Sequence, residues 1–107
     1  MEIKKITYPL PNEYYNKQLF HIKDKGLSIK FGTVFLKKGT RIPEKGFSKH
    51  PQYELSIIQE GKIEMLSEDG NVNGYLNIGD VVYIKSLEAQ AGNVLIDTKI
   101  VYILVKK

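Results

Sequence analysis

Two of the side-chain types that most often do acid–base or metal chemistry are scarce in this chain, which has two histidines and no cysteine. One of them, His50, stands four residues before Glu54, and Pro51 follows the histidine directly. An imidazole and a carboxylate at this spacing can form a hydrogen-bonded pair that satisfies two buried polar groups. The same two groups can also hold a metal ion or contact a small molecule. The pair by itself leaves these interpretations open.

Several other kinds of chemistry lack the residues they need. Without cysteine the chain has no disulfide, zinc ribbon or thiol nucleophile. No Gly-x-Ser-x-Gly elbow and no glycine-rich phosphate loop occurs, so hydrolysis by a serine nucleophile has no support. His21 alternates with apolar neighbours, and we interpret it as a residue of a strand surface or rim.

The elements that must position His50 and Glu54 are predicted to be β-strands. Runs of β-forming residues alternate with turn residues such as Lys25-Gly26, Glu60-Gly61 and Asp69-Gly70, and no segment keeps a helical apolar period for three turns. The sequence therefore predicts an all-β fold, an antiparallel barrel or sandwich. Eight or nine strands are expected, over residues 2–7, 19–23, 27–37, 53–59, 62–67, 74–77, 81–85, 92–97 and 99–105.

The length of 107 residues fits a single domain covering residues 1–107. Residues 1–18 are expected to form an N-terminal strand and an arm, because Pro9 and Pro11 interrupt regular structure there. Residues 27–105 are expected to form the barrel. Any functional site must then lie inside this β unit or on its rim.

The stretch from Ser48 to Gly61 resembles the first motif of the cupin superfamily, in which His-x-His is followed by a Glu and then a Gly. His50 takes the second histidine position, Glu54 the glutamate position and Gly61 the glycine position, while Ser48 stands at the first histidine position. Pro51 matches a proline that is frequent in the family after the second histidine. The resemblance implies a single-domain cupin barrel, or jelly roll.

A second stretch, from Leu76 to Ile84, resembles the start of the second cupin motif. Counting on from Gly79, the family's proline, glycine, histidine and asparagine positions fall on Lys85, Leu87, Gln90 and Val94. The ligating histidine of this motif is therefore replaced by Gln90. The two motifs and their flanking strands cover most of the chain.

The resemblance implies that Ser48, His50, Glu54 and Gln90 line the mouth of the barrel as ligand-binding residues. His50, Glu54 and Gln90 are the candidate metal ligands of this set. A set rich in oxygen donors favours Mn²⁺ or Mg²⁺ over Zn²⁺, and we expect any such ion to be weakly held. Glu44 and Arg41 could also contact a ligand if residues 41–47 fold over the mouth.

Three functions follow from this interpretation; the first is the one we expect, and the other two are its alternatives. The first is binding of a small molecule in the barrel mouth. The second is a metal-dependent cupin enzyme, oxygenase- or isomerase-like, acting on a small oxygenated or sugar-like substrate. The third is a non-catalytic cupin with a structural or regulatory role.

The charge pattern bears on possible partners. The net charge is +4, but all basic residues except Arg41 are lysines and they are scattered, so nucleic-acid binding is not expected. The longest apolar run, residues 100–105, is too short to span a membrane, and the charged N-terminus indicates a cytoplasmic protein.

A homodimer is expected from the alternation in one strand. If Glu54, Ser56 and Ile58 face the interior, an apolar set faces outward and needs a cover. This set consists of Tyr53, Leu55 and Ile57.

Overall fold

The computed structural model describes residues 1–107 and contains seven β-strands and no α-helix. The strands are β1 (Asn16–Asp24), β2 (Leu27–Leu36), β3 (Arg41–Ile42), β4 (Tyr53–Leu66), β5 (Val72–Asn77), β6 (Val81–Ile84) and β7 (Ala91–Lys106). Every strand pair is antiparallel, and all seven strands belong to one sheet. The predicted all-β fold is confirmed. No helix is present that could cross a membrane.

Two long strands, β4 and β7, organise the fold because each belongs to both halves of the sheet. Residues 53–58 of β4 pair with residues 100–105 of β7, and this first half extends to β2 and β1 on one side and to β6 on the other. Residues 62–66 of β4 pair with residues 91–96 of β7, and this second half adds β5 and β3. The two halves face each other around a common core.

A β-bulge marks the change from one half to the other. The pairing register of β4 against β7 shifts between Ile58 and Ile63, and Gly61 adopts a φ of +108° there. A bulge of this kind bends a strand and increases its twist. The predicted turn at Glu60-Gly61 is therefore wrong, because the chain continues through it as one strand. The strands predicted over 53–59 and 62–67 therefore merge into β4, and those over 92–97 and 99–105 merge into β7.

Alternation along the strands decides which side chains enter the core. In β4, Ser56 and Ile58 are almost completely buried, whereas Tyr53, Leu55 and Ile57 keep 41–49% of their surface exposed on the outer face. The predicted inward and outward faces of this strand are confirmed. Leu36, Ile63 and Val94, from β2, β4 and β7, form the centre of the core.

The N-terminal segment differs from its prediction. Residues 2–7 pair with no strand of this chain, so the predicted strand is wrong. Ile3 and Ile6 are three positions apart, and the two-residue period of a strand would point them to opposite faces. The segment instead rests on the outer face: Thr33 Oγ1 donates a hydrogen bond of 2.6 Å to the Thr7 carbonyl, and Lys4 Nζ one of 2.6 Å to the Leu19 carbonyl.

The start of β1 and the whole of β3 were also missed. β1 begins at Asn16, inside the segment predicted to be an arm, and β3 is absent from the predicted set. β3 has only two residues, Arg41 and Ile42, which is too short for an alternating pattern to be visible in the sequence.

Candidate functional site

A cavity of about 280 Å³ lies between the two halves of the sheet. Its floor is apolar and drawn from both halves; it includes Val34, Leu36, Ile63, Met65, Leu76 and Ile100. Ser48, His50, Glu54 and Gln90 also line it. Small-molecule sites commonly combine an apolar pocket with a few polar groups that orient the ligand.

His50, Glu54 and Gln90 form one connected polar cluster at this cavity. The His50 Nε2 atom lies 3.3 Å from Glu54 Oε1 and 3.2 Å from Gln90 Nε2. The side chains of His50 and Glu54 are 24% and 21% exposed, so solvent reaches them only in part. The structure therefore brings together three residues that lie up to 40 positions apart in the sequence.

The protonation of the His50 ring is restricted by its backbone contact. Its Nδ1 atom lies 3.1 Å from the Gln52 carbonyl oxygen, which can only accept a hydrogen bond, so Nδ1 carries a proton. In the neutral ring, Nε2 then accepts a hydrogen bond from the Gln90 amide. In the protonated ring, Nε2 donates to Glu54 instead.

Ser56 holds the Glu54 carboxylate in place. Ser56 Oγ donates a hydrogen bond of 2.6 Å to Glu54 Oε2, and Ser56 is 3% exposed. The two residues are two positions apart on β4 and therefore share the inner face. The other carboxylate oxygen, Oε1, remains free to face His50.

Ser48 and Gln90 are linked through their backbones. The Ser48 N–H donates to the Gln90 carbonyl at 2.9 Å, and the Gln90 N–H donates back to Ser48 at 3.0 Å, which makes an isolated antiparallel bridge. The Leu87 N–H donates to the His50 carbonyl at 2.7 Å, and Leu87 adopts a φ of +64°. This conformation favours glycine, which is the residue that the second cupin motif has at this position.

Tyr102 is a cavity residue that the sequence analysis missed. Its hydroxyl donates a hydrogen bond of 2.6 Å to Asn16 Oδ1, and its ring lines the cavity. Burial raises the pKa of Tyr102; the hydrogen bond with Asn16 opposes this rise and the negative charge of Glu54 adds to it, so the pKa stays above its ordinary value and the hydroxyl keeps its proton at neutral pH. The two-residue period of β7 places Tyr102 on one of the two faces of the sheet but does not say which. The pairing of Tyr102 with Ser56 of β4 shows that it is the face that carries Glu54.

The donor set for a metal ion is small. Nowhere in the structure do three or more His, Cys, Asp or Glu side chains lie close enough together to hold one metal ion. His50 Nε2 and Glu54 Oε1 are the two strong donors at the cavity, and a third would have to come from the Gln90 amide oxygen. One nitrogen and two oxygens fit a hard ion such as Mn²⁺ better than Zn²⁺.

Arg41 and Glu44 line an adjoining cavity of about 580 Å³, together with Glu13 and Lys37. The Arg41 Nη1 group donates to the carbonyls of Pro43 and Gly46 at 2.8 and 2.9 Å, and these bonds fix the loop after β3. The two cavities share Ser48 and several apolar residues. Of residues 41–47, Ile42 and Pro43 line the central cavity, whereas neither Arg41 nor Glu44 does.

Comparison with known proteins adds to this geometry. No family model matches the sequence, and no curated protein is similar to it. Solved structures with a similar fold include a Cupin 2 conserved barrel domain protein from Salinispora arenicola, with a TM-score of 0.66, 19% identity, and coverage of 97% of this chain and 87% of that one. A cupin-2 domain protein from Shewanella frigidimarina has a TM-score of 0.63 and 16% identity, covering 88% of this chain and 82% of that one.

An enzyme is also among the similar structures. The DMSP lyase DddQ from Ruegeria pomeroyi matches with a TM-score of 0.58 and 22% identity, over 71% of this chain and 37% of that one. At these identities the agreement concerns the backbone and its topology. Together with the strand order and the position of the cavity, it shows that this chain has the cupin fold.

Proposed function

We propose that the protein binds a small molecule in the central cavity, with His50, Glu54 and Gln90 as its polar contacts. The observation that supports this proposal is the convergence of three polar side chains on one apolar cavity of about 280 Å³. A fixed carboxylate, an imidazole and an amide can orient a ligand by hydrogen bonds while the floor excludes water.

A thermal-shift panel of small metabolites tests this proposal. A ligand present at 100 times its dissociation constant adds about 2.7 kcal/mol to the free energy of unfolding. We expect Glu54→Ala to weaken binding of any ligand found by about ten- to a hundredfold, because a hydrogen bond to a charged group contributes about 1.5–3 kcal/mol. Glu68→Ala, in the exposed turn after β4, is the matched control and should leave binding unchanged. If His50→Ala and Glu54→Ala both leave every binding assay unchanged, a non-catalytic structural or regulatory role replaces this proposal.

A second candidate function, metal-dependent catalysis, is favoured by the 3.3 Å approach of His50 Nε2 to Glu54 Oε1. An ion held by these two atoms and the Gln90 amide would act on a small oxygenated or sugar-like substrate as a Lewis acid. We expect a thermal shift on addition of Mn²⁺ that is lost in His50→Ala. Protein purified without chelator or nickel resin, with substoichiometric metal and no shift on adding Mn²⁺, Fe²⁺, Ni²⁺ or Zn²⁺, would contradict this function.

We also propose that the protein forms a homodimer through the outer face of the first half of the sheet. Large apolar residues of β4 and β6 are adjacent there and about half exposed; they are Tyr53, Leu55, Ile57, Val81 and Tyr83. An apolar patch of this kind is typical of an interface. We expect sedimentation at micromolar concentration to give a dimer and Leu55→Glu to give a monomer, with Leu10→Glu, in the N-terminal segment, as the control. A wild-type protein that sediments as a 12.2 kDa monomer would contradict the dimer.

A further inference from the structure

Five polar residues lie next to one another on the inner face of the first half, beyond the cavity. Lys30 of β2 pairs with His21 of β1 and with Leu104 of β7, while Ser28 pairs with Lys23 and with Lys106. Residues that pair directly across antiparallel strands project from the same face of the sheet. We call Lys23, Lys30 and Lys106, with His21 and Ser28 between them, the basic rim.

The basic rim is continuous with the central cavity. Leu104 pairs with Lys30 on one side and with Glu54 on the other, and both Leu104 and Glu54 line the cavity. Lys30 and Glu54 are therefore two strands apart on the same face, a separation of about 10 Å. A molecule in the cavity that extends past Leu104 reaches Lys30.

The three lysines have no acidic partner in the protein. The ion pairs of the structure are His50 with Glu54 and Lys99 with Glu60, so no lysine of the basic rim is paired. Lys30 is only partly exposed, and Glu54 is the single acidic residue whose register places it on this face. Neighbouring like charges repel each other, and an anion bound between them would relieve this repulsion.

We propose that the basic rim binds the anionic group of the cavity's ligand, which makes that ligand a small amphipathic anion. Its apolar part occupies the central cavity, and its carboxylate or phosphate lies between Lys30, Lys23 and Lys106. Lysine acts on such groups as a point charge, and the one arginine of the chain is engaged with the carbonyls of Pro43 and Gly46. This inference rests on the proposed function, since it names the class of ligand that the cavity takes.

Titration calorimetry at low salt with three probes of equal chain length tests the inference: hexanoate, hexyl phosphate and hexan-1-ol. We expect the anions to bind roughly tenfold more tightly than the alcohol, and this preference to fall as salt rises. Lys30→Gln should remove most of the preference and leave the affinity for hexan-1-ol unchanged. Lys17→Gln is the matched control, because Lys17 lies on the other face of β1 and either variant lowers the net charge from +4 to +3.

The outcomes separate this inference from the proposed function. If hexan-1-ol binds and the anions bind no better, the basic rim is rejected while the cavity remains a binding site. If none of the three probes binds, both proposals fail for this ligand class. If Lys17→Gln lowers the preference for the anions over hexan-1-ol as much as Lys30→Gln does, the basic rim is also rejected, because the preference would then depend on net charge alone.

Further comparisons identify the kind of anion that binds and control for variants that fail to fold. A stronger preference for hexyl phosphate than for hexanoate assigns the rim to phosphate esters, and the reverse assigns it to carboxylates. Lys30→Arg should retain the preference, and Lys106→Gln serves if Lys30→Gln unfolds. A DNA duplex bound with the same dependence on Lys30 would overturn the inference in favour of a nucleic-acid surface.

Discussion

Gly61→Ala is expected to lower the free energy of unfolding by about 3 kcal/mol or more, from backbone strain and overpacking together. Gly61 has a φ of +108°, which residues with a Cβ rarely adopt. A Cβ added there would lie 2.5 Å from Thr98 Cα and 2.6 Å from Thr98 Cβ, and the side chain of Thr98 is completely buried. Thermal and denaturant unfolding measure the loss, which corresponds to a fall in Tm on the order of 10–20 °C.

Gly70→Ala separates the two contributions. Gly70 also has a positive φ, of +86°, but an added Cβ would meet no atom within 4 Å. Gly70→Ala should therefore lower the free energy of unfolding by only the cost of the backbone conformation, about 1–2 kcal/mol. If Gly61→Ala costs no more than Gly70→Ala, the close packing of the bulge against Thr98 is contradicted.

Gly32→Ala is expected to cost about 2–3 kcal/mol and to weaken ligand binding at the same time. Gly32 lies on the inner face of β2 opposite Tyr102, whose ring passes over it to reach Asn16. An added Cβ would approach the Tyr102 hydroxyl to 2.5 Å and the Lys17 carbonyl to 2.5 Å. The ring must then move into the cavity, so chemical denaturation and the binding assay should both change.

A double-mutant cycle with Tyr102→Ala checks the cause. Without the ring, Gly32→Ala retains only its contact with the Lys17 carbonyl and should cost at least about 1 kcal/mol less than in the wild-type protein, since contacting residues have coupling energies of 0.5–3 kcal/mol. Additive effects of the two substitutions would show that the Tyr102 ring does not pass over Gly32.

Gly61 and Gly32 act on the site through different parts of the fold. The bulge at Gly61 bends β4 so that its first half places Glu54 at the cavity while its second half supplies Ile63 and Met65 to the floor. Gly32 leaves room for the tyrosine that closes the cavity between β1 and β7. Both positions matter because main chain or a buried ring occupies the space that a Cβ would need.

Much of the fold could be predicted from local patterns. The β-forming runs and the turns at Lys25-Gly26 and Asp69-Gly70 correctly predicted an antiparallel all-β protein, and the motif resemblance predicted its cupin fold. Glu60-Gly61 was misinterpreted as a turn because glycine at positive φ serves a turn and a bulge equally well. Which of the two forms depends on the partner strand, and here the long β7 continues the pairing on both sides.

The candidate site was predicted less completely. Spacing and resemblance singled out Ser48, His50, Glu54 and Gln90, and the structure places all four at one cavity. Ser56, Tyr102 and Asn16 were not among the predicted site residues, because their roles depend on contacts between strands. Asn16 and Tyr102, for example, are 86 positions apart in the sequence and meet through β2.

The sequence by itself determined most strands, most turns and which side chains of β4 point inward, since these depend on residues close together in the chain: a period of two and the conformations that glycine allows. The tertiary structure decided the register, and with it the approach of His50 to Glu54 and Gln90, the position of Tyr102, and the grouping of Lys23, Lys30 and Lys106. Register is set by how whole strands pack, and a shift of one residue would move each of these side chains to the opposite face.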